Sequence, residues 1–356
     1  MRKKKVLVAM SGGVDSSAAA ALLVQQGYDC DGAMLKLAPN EDSRCCSADD
    51  AEDARQAATR LRMRFYVFNE TDRFRRCVMD RFTAEYAAGR TPNPCIDCNR
   101  ELKFGALLDR ALTLGYDYIA TGHYARVAYD AESGRYRLLR GAERRKDQSY
   151  VLYQLTQHQL AHLLLPVGDY DKPAIRDKAR EAGLDNADKG DSQDICFVPD
   201  GDYAEFIRMR TGKTYPHGAF LDTDGNVIGE HSGIIRYTIG QRKGLGVGFG
   251  ERMYVCSKDM QNNTVTLSRE DGLYSSRLTA GDFNWILWEN APSEPVEISA
   301  RTRYNGREAE ATVWADPDGT VHVEFRKPQR AVTAGQAVVL YLGDIVVGGG
   351  TILSAE

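Results

Sequence analysis

At 356 residues, with 43% hydrophobic and 27% charged residues, the chain is too long for one hydrophobic core and too apolar for wholesale disorder, so two or three domains are expected. Its 46 Lys and Arg against 50 Asp and Glu leave a formal charge of −4, which excludes a uniformly basic nucleic-acid binder and leaves any such partner to local patches. Eight cysteines over this length are too dilute for a disulfide-stapled scaffold and read as reduced thiols, some of them catalytic or metal-binding candidates.

The basic start Met1 to Lys5 is followed by an apolar run, Val6 to Met10, that is too short for a secretory signal, and no stretch is long enough to span a bilayer. A soluble cytoplasmic protein is the expectation. Lys4 to Met10 reads as a strand, and Ser16 to Gln26, rich in Ala and Leu and stopped by Gly27, as a helix. Between them stands Ser11-Gly12-Gly13-Val14-Asp15-Ser16-Ser17. Glycines that let the backbone approach, hydroxyls, and the free N–H groups of a helix start make such a turn an anion cradle. It lacks the Gly-Lys-Ser/Thr ending of a Walker A loop and the Gly-x-Gly-x-x-Gly dinucleotide pattern. Asp15 is placed either to hold a metal bridging phosphates or simply to favour the helix dipole.

Cys30 to Leu37, carrying Met34, reads as a second strand, and Ser47 to Arg62 as a helix capped by Ser47 with acidic residues in its first turn. Arg64 to Phe68 is a third strand, and the repeated βα pattern implies a parallel sheet. Thr71 to Ala88 is a further helix. Thr91-Pro92-Asn93-Pro94-Cys95-Ile96-Asp97-Cys98 reads as a Pro-punctuated loop presenting two cysteines before a helix, Phe104 to Leu114. Tyr116 to Thr121 is a strand running into Gly122-His123. Met34 and Gly122 thus fall at strand ends, where open parallel sheets bind ligands. Glu143 to Tyr150 gathers Arg144, Arg145 and Lys146 with Asp147 and Gln148, as either a solvated basic loop or a phosphate or base reader. Cys196 follows in the polar run Asp191 to Phe197. From Gly212 the texture changes to short alternating runs, such as Val255 to Lys258 and Val321 to Phe325, between turn pairs such as Asp224-Gly225 and Asp318-Gly319. The expected organisation is an α/β parallel-sheet domain over 1–205, a small β-rich domain over 206–274 and a C-terminal β-barrel over 275–356.

The turn Ser11 to Ser17 resembles the PP-loop of the ATP pyrophosphatases, which cleave ATP between its α and β phosphates and adenylate an oxygen of their substrate. Taken with Thr91 to Phe104, Asp191 to Phe197, Thr121 to Arg126, Lys146 to Tyr150 and Tyr237 to Leu245, the chain resembles the tRNA-specific 2-thiouridylases of the MnmA type over essentially its whole length. That resemblance implies a Rossmann-like ATP domain and ATP-dependent 2-thiolation of the tRNA wobble uridine. It assigns ATP, with Mg2+, to Ala9, Met10, Ser11, Gly12, Gly13, Val14, Asp15, Ser16, Met34 and Gly122. It makes Cys196 the persulfide carrier and Cys98 the nucleophile that resolves it, leaving a disulfide, and it assigns tRNA contacts to His123, Lys146, Asp147, Gln148, Arg303, Tyr304 and Gln336. Tyr237 to Leu245, taken as a Gly-rich hairpin, would brace the anticodon arm.

The implied partners are tRNAs with a wobble uridine, such as the Lys, Glu and Gln acceptors, and a cysteine desulfurase or sulfur-relay protein as sulfur donor. Arg100, Lys103 or a helix start would favour the thiolates. Many members carry Asp where this chain has Cys95. Cys95, Cys98 and Cys196 are therefore also a set that could hold an iron–sulfur (4Fe-4S) cluster, an alternative to the persulfide route. Cys30, Cys77 and Cys256 read as core residues, and Cys45-Cys46 carry no assigned chemistry.

Overall fold

The computed structural model describes residues 2–37, 47–190, 195–198, 201–248 and 250–356. Cys45, Cys46 and the polar run Asp191 to Asp194 lie outside them. No helix of the described residues is long and apolar enough to cross a membrane.

The N-terminal part is built on β1 (Lys5–Ala9), α1 (Val14–Gln25), β2 (Asp29–Lys36), α2 (Ala48–Arg60) and β3 (Phe65–Asn69). Helices α3 (71–87) and α4 (94–113) follow, then β4 (Tyr118–Ala120), the hairpin β5 (Ala125–Asp130) and β6 (Arg135–Arg140), and β7 (Leu163–Leu164). Five strands form a parallel sheet in the order β3-β2-β1-β4-β7. Alternation along β1 sends Leu7 into one core and Val6 and Val8 into another, so both faces are covered, as a parallel sheet requires. Ser47 caps α2 in a reciprocal capping box with Asp50.

Two expectations need correcting here. The segment read as a Cys-bearing loop is the first turn of α4: Asn93 caps it, its side chain accepting from Cys95 N, and Pro94 occupies the first helical position, where a missing N–H costs nothing. From Asn99 to Ala106 the helix widens, with Leu107 N bonded to Leu102 O, an i→i+5 geometry frequent at functional sites. Tyr237 to Leu245, in turn, is not a hairpin but a run of turns, because Gly240 and Gly244 both take positive φ and Thr238 N bonds to the Gln241 side chain rather than to a strand. Among the cysteines read as core, Cys30 is buried, whereas Cys77 and Cys256 are half-buried.

After α5 (Gln157–Ala161), α6 (Lys172–Glu181) and α7 (Tyr203–Thr211), a four-stranded sheet combines β8 (Gly218–Leu221), β9 (Val227–His231), β10 (Tyr254–Asp259) and β11 (Thr264–Ser268). The C-terminal strands are β12 (Tyr274–Trp285), β13 (Val296–Arg301), β14 (Ala309–Ala315), β15 (Val321–Arg330), β16 (Ala337–Leu342) and β17 (Ile345–Ala355). Pairing of β12 with both β15 and β17 closes them into a six-stranded barrel with its own core, leaving no free edge. The β5–β6 hairpin, part of the N-terminal half in sequence, adds to β17 at Leu139 and Ile345. The largest core runs without a break from Leu7 and Phe104 through Phe220 and Val265 to Tyr341. Apolar packing thus holds the three parts against one another.

At the amino edge of the sheet, Asp31 of β2 accepts from Arg64 (2.8 Å) before β3 and from the Tyr116 hydroxyl (2.6 Å) before β4. Burial alone would raise this carboxyl, but the Arg64 and Tyr116 hydrogen bonds outweigh it and hold the group below the usual carboxylate range. Asp31→Asn is expected to lower stability by about 1–2 kcal/mol, the exposure of Arg64 limiting the loss. Because the folded-state pKa is the depressed one, this contribution is present above the unfolded carboxylate pKa and disappears as pH falls through the folded value. Thermal melts of the two proteins should therefore converge in acid; a difference that persists there would refute the assignment.

Candidate active site

The anion cradle forms where β1 ends and α1 begins. Gly13 precedes α1 with no side-chain cap, so the first N–H groups of the helix stay open to a ligand. Gly12 has φ +79°, and a Cβ there would lie 2.3 Å from the Asp50 carbonyl of α2, so both conformation and space demand glycine. Ser16 Oγ accepts from Ser11 N (3.1 Å) and donates to Gly13 O (2.9 Å), which folds the turn on itself. Gly122 backs directly onto this turn: a Cβ there would sit 2.6 Å from the Asp15 carbonyl carbon. Ala9, Met10 and Met34 lie towards the carboxyl ends of β1 and β2, Met10 and Met34 buried. The structure thus brings together the whole set assigned to ATP. The geometry suits phosphate: open N–H groups, a backbone that can be approached, and a helix dipole.

Three cradle residues escaped the sequence reading. Lys172, at the start of α6, places Nζ 2.7 Å from Asp15 Oδ1, and the Tyr124 hydroxyl donates to the same oxygen at 2.8 Å. Asn186 Nδ2 donates to Gly12 O (3.0 Å) and Ser17 Oγ (2.9 Å). Lys172 and Asn186 lie more than 150 positions from the loop they serve, and neither sits in a patterned run. Tyr124 lies within the Thr121 to Arg126 motif, but nothing local marks its hydroxyl.

The second half of the site is the thiol cleft. Cys95 and Cys98 stand three apart on the first turn of α4 and so share a face. Cys196 is brought over by Phe197, whose ring is wedged among Phe74, Phe82 and Phe206 at centroid distances of 5.3 to 5.6 Å. The three sulfurs share one electrostatic environment, since charge on Cys196 raises both other thiols. The expectation of ready thiolates is not met in this state. Burial dominates: it pushes Cys98 up to about 12 and raises Cys95, which opens to solvent at the rim but is otherwise walled by protein. Lys103 is the cation that opposes this at both, while Arg100 is turned to Glu101 (3.0 Å), Asp282 (3.3 Å) and Asp97 (3.7 Å). Among the described residues no group of three or more His, Cys, Asp or Glu side chains is arranged to hold a single metal ion.

His123 and Tyr124 join the two halves. Tyr124 reaches Asp15, and the His123 ring lies against Phe104 of α4 at 5.7 Å, with Nδ1 2.7 Å from Thr121 Oγ1. Burial, with Lys103 nearby, holds His123 well below the usual imidazole range, so it is neutral at physiological pH. Gln148 clasps Tyr124 from both sides, Oε1 accepting from Tyr124 N (2.9 Å) and its own N–H donating to Tyr124 O (2.8 Å).

Of the other residues assigned to RNA, several make hydrogen bonds within the protein. Asp147 accepts from Gly141 N, Ser149 N and Ser149 Oγ, and is buried. Arg303, in the turn after β13, donates to Ile239 O, Ala331 O and Thr333 Oγ1. Gln336 donates to Thr91 O at 2.6 Å. Tyr304 feels the charges of Arg301, Asp147, Cys95 and Lys146, which places barrel, basic loop and thiol rim around one cleft.

Comparison with known proteins agrees with this layout. Residues 4–200 match the family profile described as tRNA methyl transferase HUP domain, 204–269 the tRNA methyl transferase PRC-barrel domain, and 275–352 the aminomethyltransferase beta-barrel domain. The tRNA-specific 2-thiouridylase MnmA of Acetivibrio thermocellus is 51% identical over 99% of this chain and 100% of its own length. The protein of the same name from Moorella thermoacetica is 51% identical over 98% of this chain and 99% of its own. Among solved structures, a 4-thiouridine synthetase in complex with RNA and ATP is similar at 18% identity and TM-score 0.37, covering 54% of this chain and 44% of that one. With half its residues identical to those relatives from end to end, the chain belongs to the tRNA-specific 2-thiouridylase family.

Proposed function

We propose that this protein is an ATP-dependent tRNA-uridine 2-sulfurtransferase that acts on the wobble uridine. The observation that carries the reading is the continuity of the site: Tyr124 bonds to Asp15 in the phosphate cradle, and its neighbour His123 shares Lys103 with Cys95 and Cys98. Adenylation and sulfur transfer need such a shared chamber, because the adenylated base must meet a sulfur nucleophile before water does.

The uracil C2 oxygen is a poor leaving group. Attack of that oxygen on the α-phosphorus of ATP expels pyrophosphate, and the C2–O bond then breaks with AMP as leaving group. The cradle N–H groups would hold the phosphates, and Lys172 would follow the negative charge from Asp15 to the departing pyrophosphate. Asp15 is the carboxylate available to Mg2+ carried in with the nucleotide, which supplies charge neutralisation at the phosphates. A persulfide on Cys196 is the sulfur store. Attack of the Cys98 thiolate on the Cys196 sulfur releases the terminal sulfur as sulfide for C2 and leaves a Cys98–Cys196 disulfide, which a cellular thiol or dithiol reductant returns to two thiols. Lys103 is placed to draw Cys98 towards its thiolate once RNA closes the cleft. A cysteine desulfurase or sulfur-relay protein recharges Cys196, in the reducing cytoplasm that free thiols require.

Lys146 and Tyr304, which lie in one electrostatic neighbourhood, would receive the tRNA, drawn from the Lys, Glu and Gln acceptors, and Gln148 would join them from its place against Tyr124. His123 through Thr121, Asp147 through Gly141 and Ser149, Arg303 through its Nη2 and Gln336 through Thr91 are each bonded within the protein and would shape that surface from behind.

Cys98→Ser and Cys196→Ser should each abolish thiolation, read as 2-thiouridine by mass spectrometry of tRNA nucleosides, while tRNA-dependent release of AMP and pyrophosphate continues. Full activity in either variant would sink the persulfide route. Asp15→Ala should abolish pyrophosphate release and keep most tRNA affinity. Lys172→Met should slow the same step by about 10²-fold, the scale for removing one charge-stabilising donor, with tRNA binding unchanged; an unaltered rate would remove Lys172 from the reaction.

A further inference from the structure

The segment leading into α4 is held from outside its own domain. Thr91 N donates to Ala334 O at 3.1 Å, and Gln336 Nε2 donates to Thr91 O at 2.6 Å, so both backbone groups of Thr91 are bonded to one turn of the C-terminal barrel. Gly335, between those two partners, has φ +88°, and a Cβ there would lie 2.9 Å from both Arg90 Cβ and Thr91 N. The turn is itself rigid: Arg303 donates to Ala331 O (2.6 Å) and Thr333 Oγ1 (3.0 Å), and Gly335 N donates to Ile352 O of β17 (2.9 Å). Between Thr91 and Cys95 stand Pro92, Asn93 and Pro94. Two fixed prolines and one capping Asn leave this link little freedom, so wherever the barrel sets Thr91, the first turn of α4 and its two thiols must follow.

We propose that the 331–336 turn of the barrel is a positioning element for the thiol chemistry, with Gln336 and Gly335 setting the start of α4 and thereby Cys95 and Cys98. This rests on the reading of Cys98 as nucleophile. It gives the barrel a role beyond offering surface to RNA. Strand β17, which holds Gly335 through Ile352, also pairs with the β5–β6 hairpin, so the turn is tied to both halves of the molecule. A misplacement of about 1 Å at a reacting group can cost on the order of 10²-fold in rate, so a single lost hydrogen bond at Thr91 is enough to register.

The test uses the full chain with tRNA and ATP. Gln336→Met keeps side-chain length and packing but removes the donor; Gly335→Ala pushes on Arg90 and Thr91 from the other side. Both should lower kcat for thiolation by about tenfold or more, within the range expected of misplacement. The tRNA dissociation constant should stay within about twofold, and the alkylation rate of Cys95 by iodoacetamide, measured by mass spectrometry without tRNA, should change. Gln336→Glu, which keeps the shape but sets a carboxylate against the Thr91 carbonyl, should be at least as slow as Gln336→Met. If tRNA affinity falls in step with kcat and Cys95 alkylation is unchanged, Gln336 is an RNA contact and the proposal fails; full activity in both variants overturns it as well. The alkylation readout does not depend on which cysteine is the nucleophile, so an active Cys98→Ser protein would refute that reading and leave the positioning result standing.

Discussion

The hydrogen bond from the Tyr124 hydroxyl to Asp15 is the point on which the site depends, because it fixes the distance between the phosphate cradle and the thiol cleft. Everything around it limits its movement. Gly122 lets the strand end press against the Asp15–Ser16 peptide, Gln148 clasps the Tyr124 backbone on both sides, and Lys172 balances the Asp15 charge. A carboxylate that takes a charged and a neutral donor on one oxygen is held more firmly than either contact alone would hold it. The next residue along, His123, then has its place against α4 determined by the same backbone.

A second constraint is the desolvation of the cleft. Packing that brings Cys196 within electrostatic reach of Cys98 also removes water from around Cys98, and in this state burial outweighs Lys103 and keeps Cys98 a thiol. A thiol held neutral in this way resists oxidation. Any shift of Cys98 towards its thiolate would therefore need a change in the surroundings of the cleft.

The barrel has its own core, yet it is not an appendage. The large core continues through the central sheet into the barrel strands, the β5–β6 hairpin pairs with β17, and Arg303 ties the barrel to the central turn at Ile239. Residues that by type look like RNA readers are here bonded to carbonyl oxygens, which is what an Arg or Gln does when it is enclosed by backbone acceptors.

By itself the sequence determined the βα order, the strand-to-helix turn at Ser11 to Ser17 and the turn-rich β half. Each of these rests on local spacing: Gly at a strand-to-helix junction, apolar alternation, capping at Ser47, and glycine pairs between short runs. Asn93-Pro94, an N-cap followed by a first-turn proline, is likewise a local signal, and it marks the start of α4 before the cysteines, not after them. Only the tertiary structure decided that Lys172 and Asn186 complete the cradle, that Gln336 bonds to Thr91, that a hairpin of the first half joins the barrel, and that burial rather than nearby cations governs Cys98. Pairings between residues more than a hundred positions apart leave no periodic trace, and desolvation depends on what packs around a group, which exists only once the chain has folded.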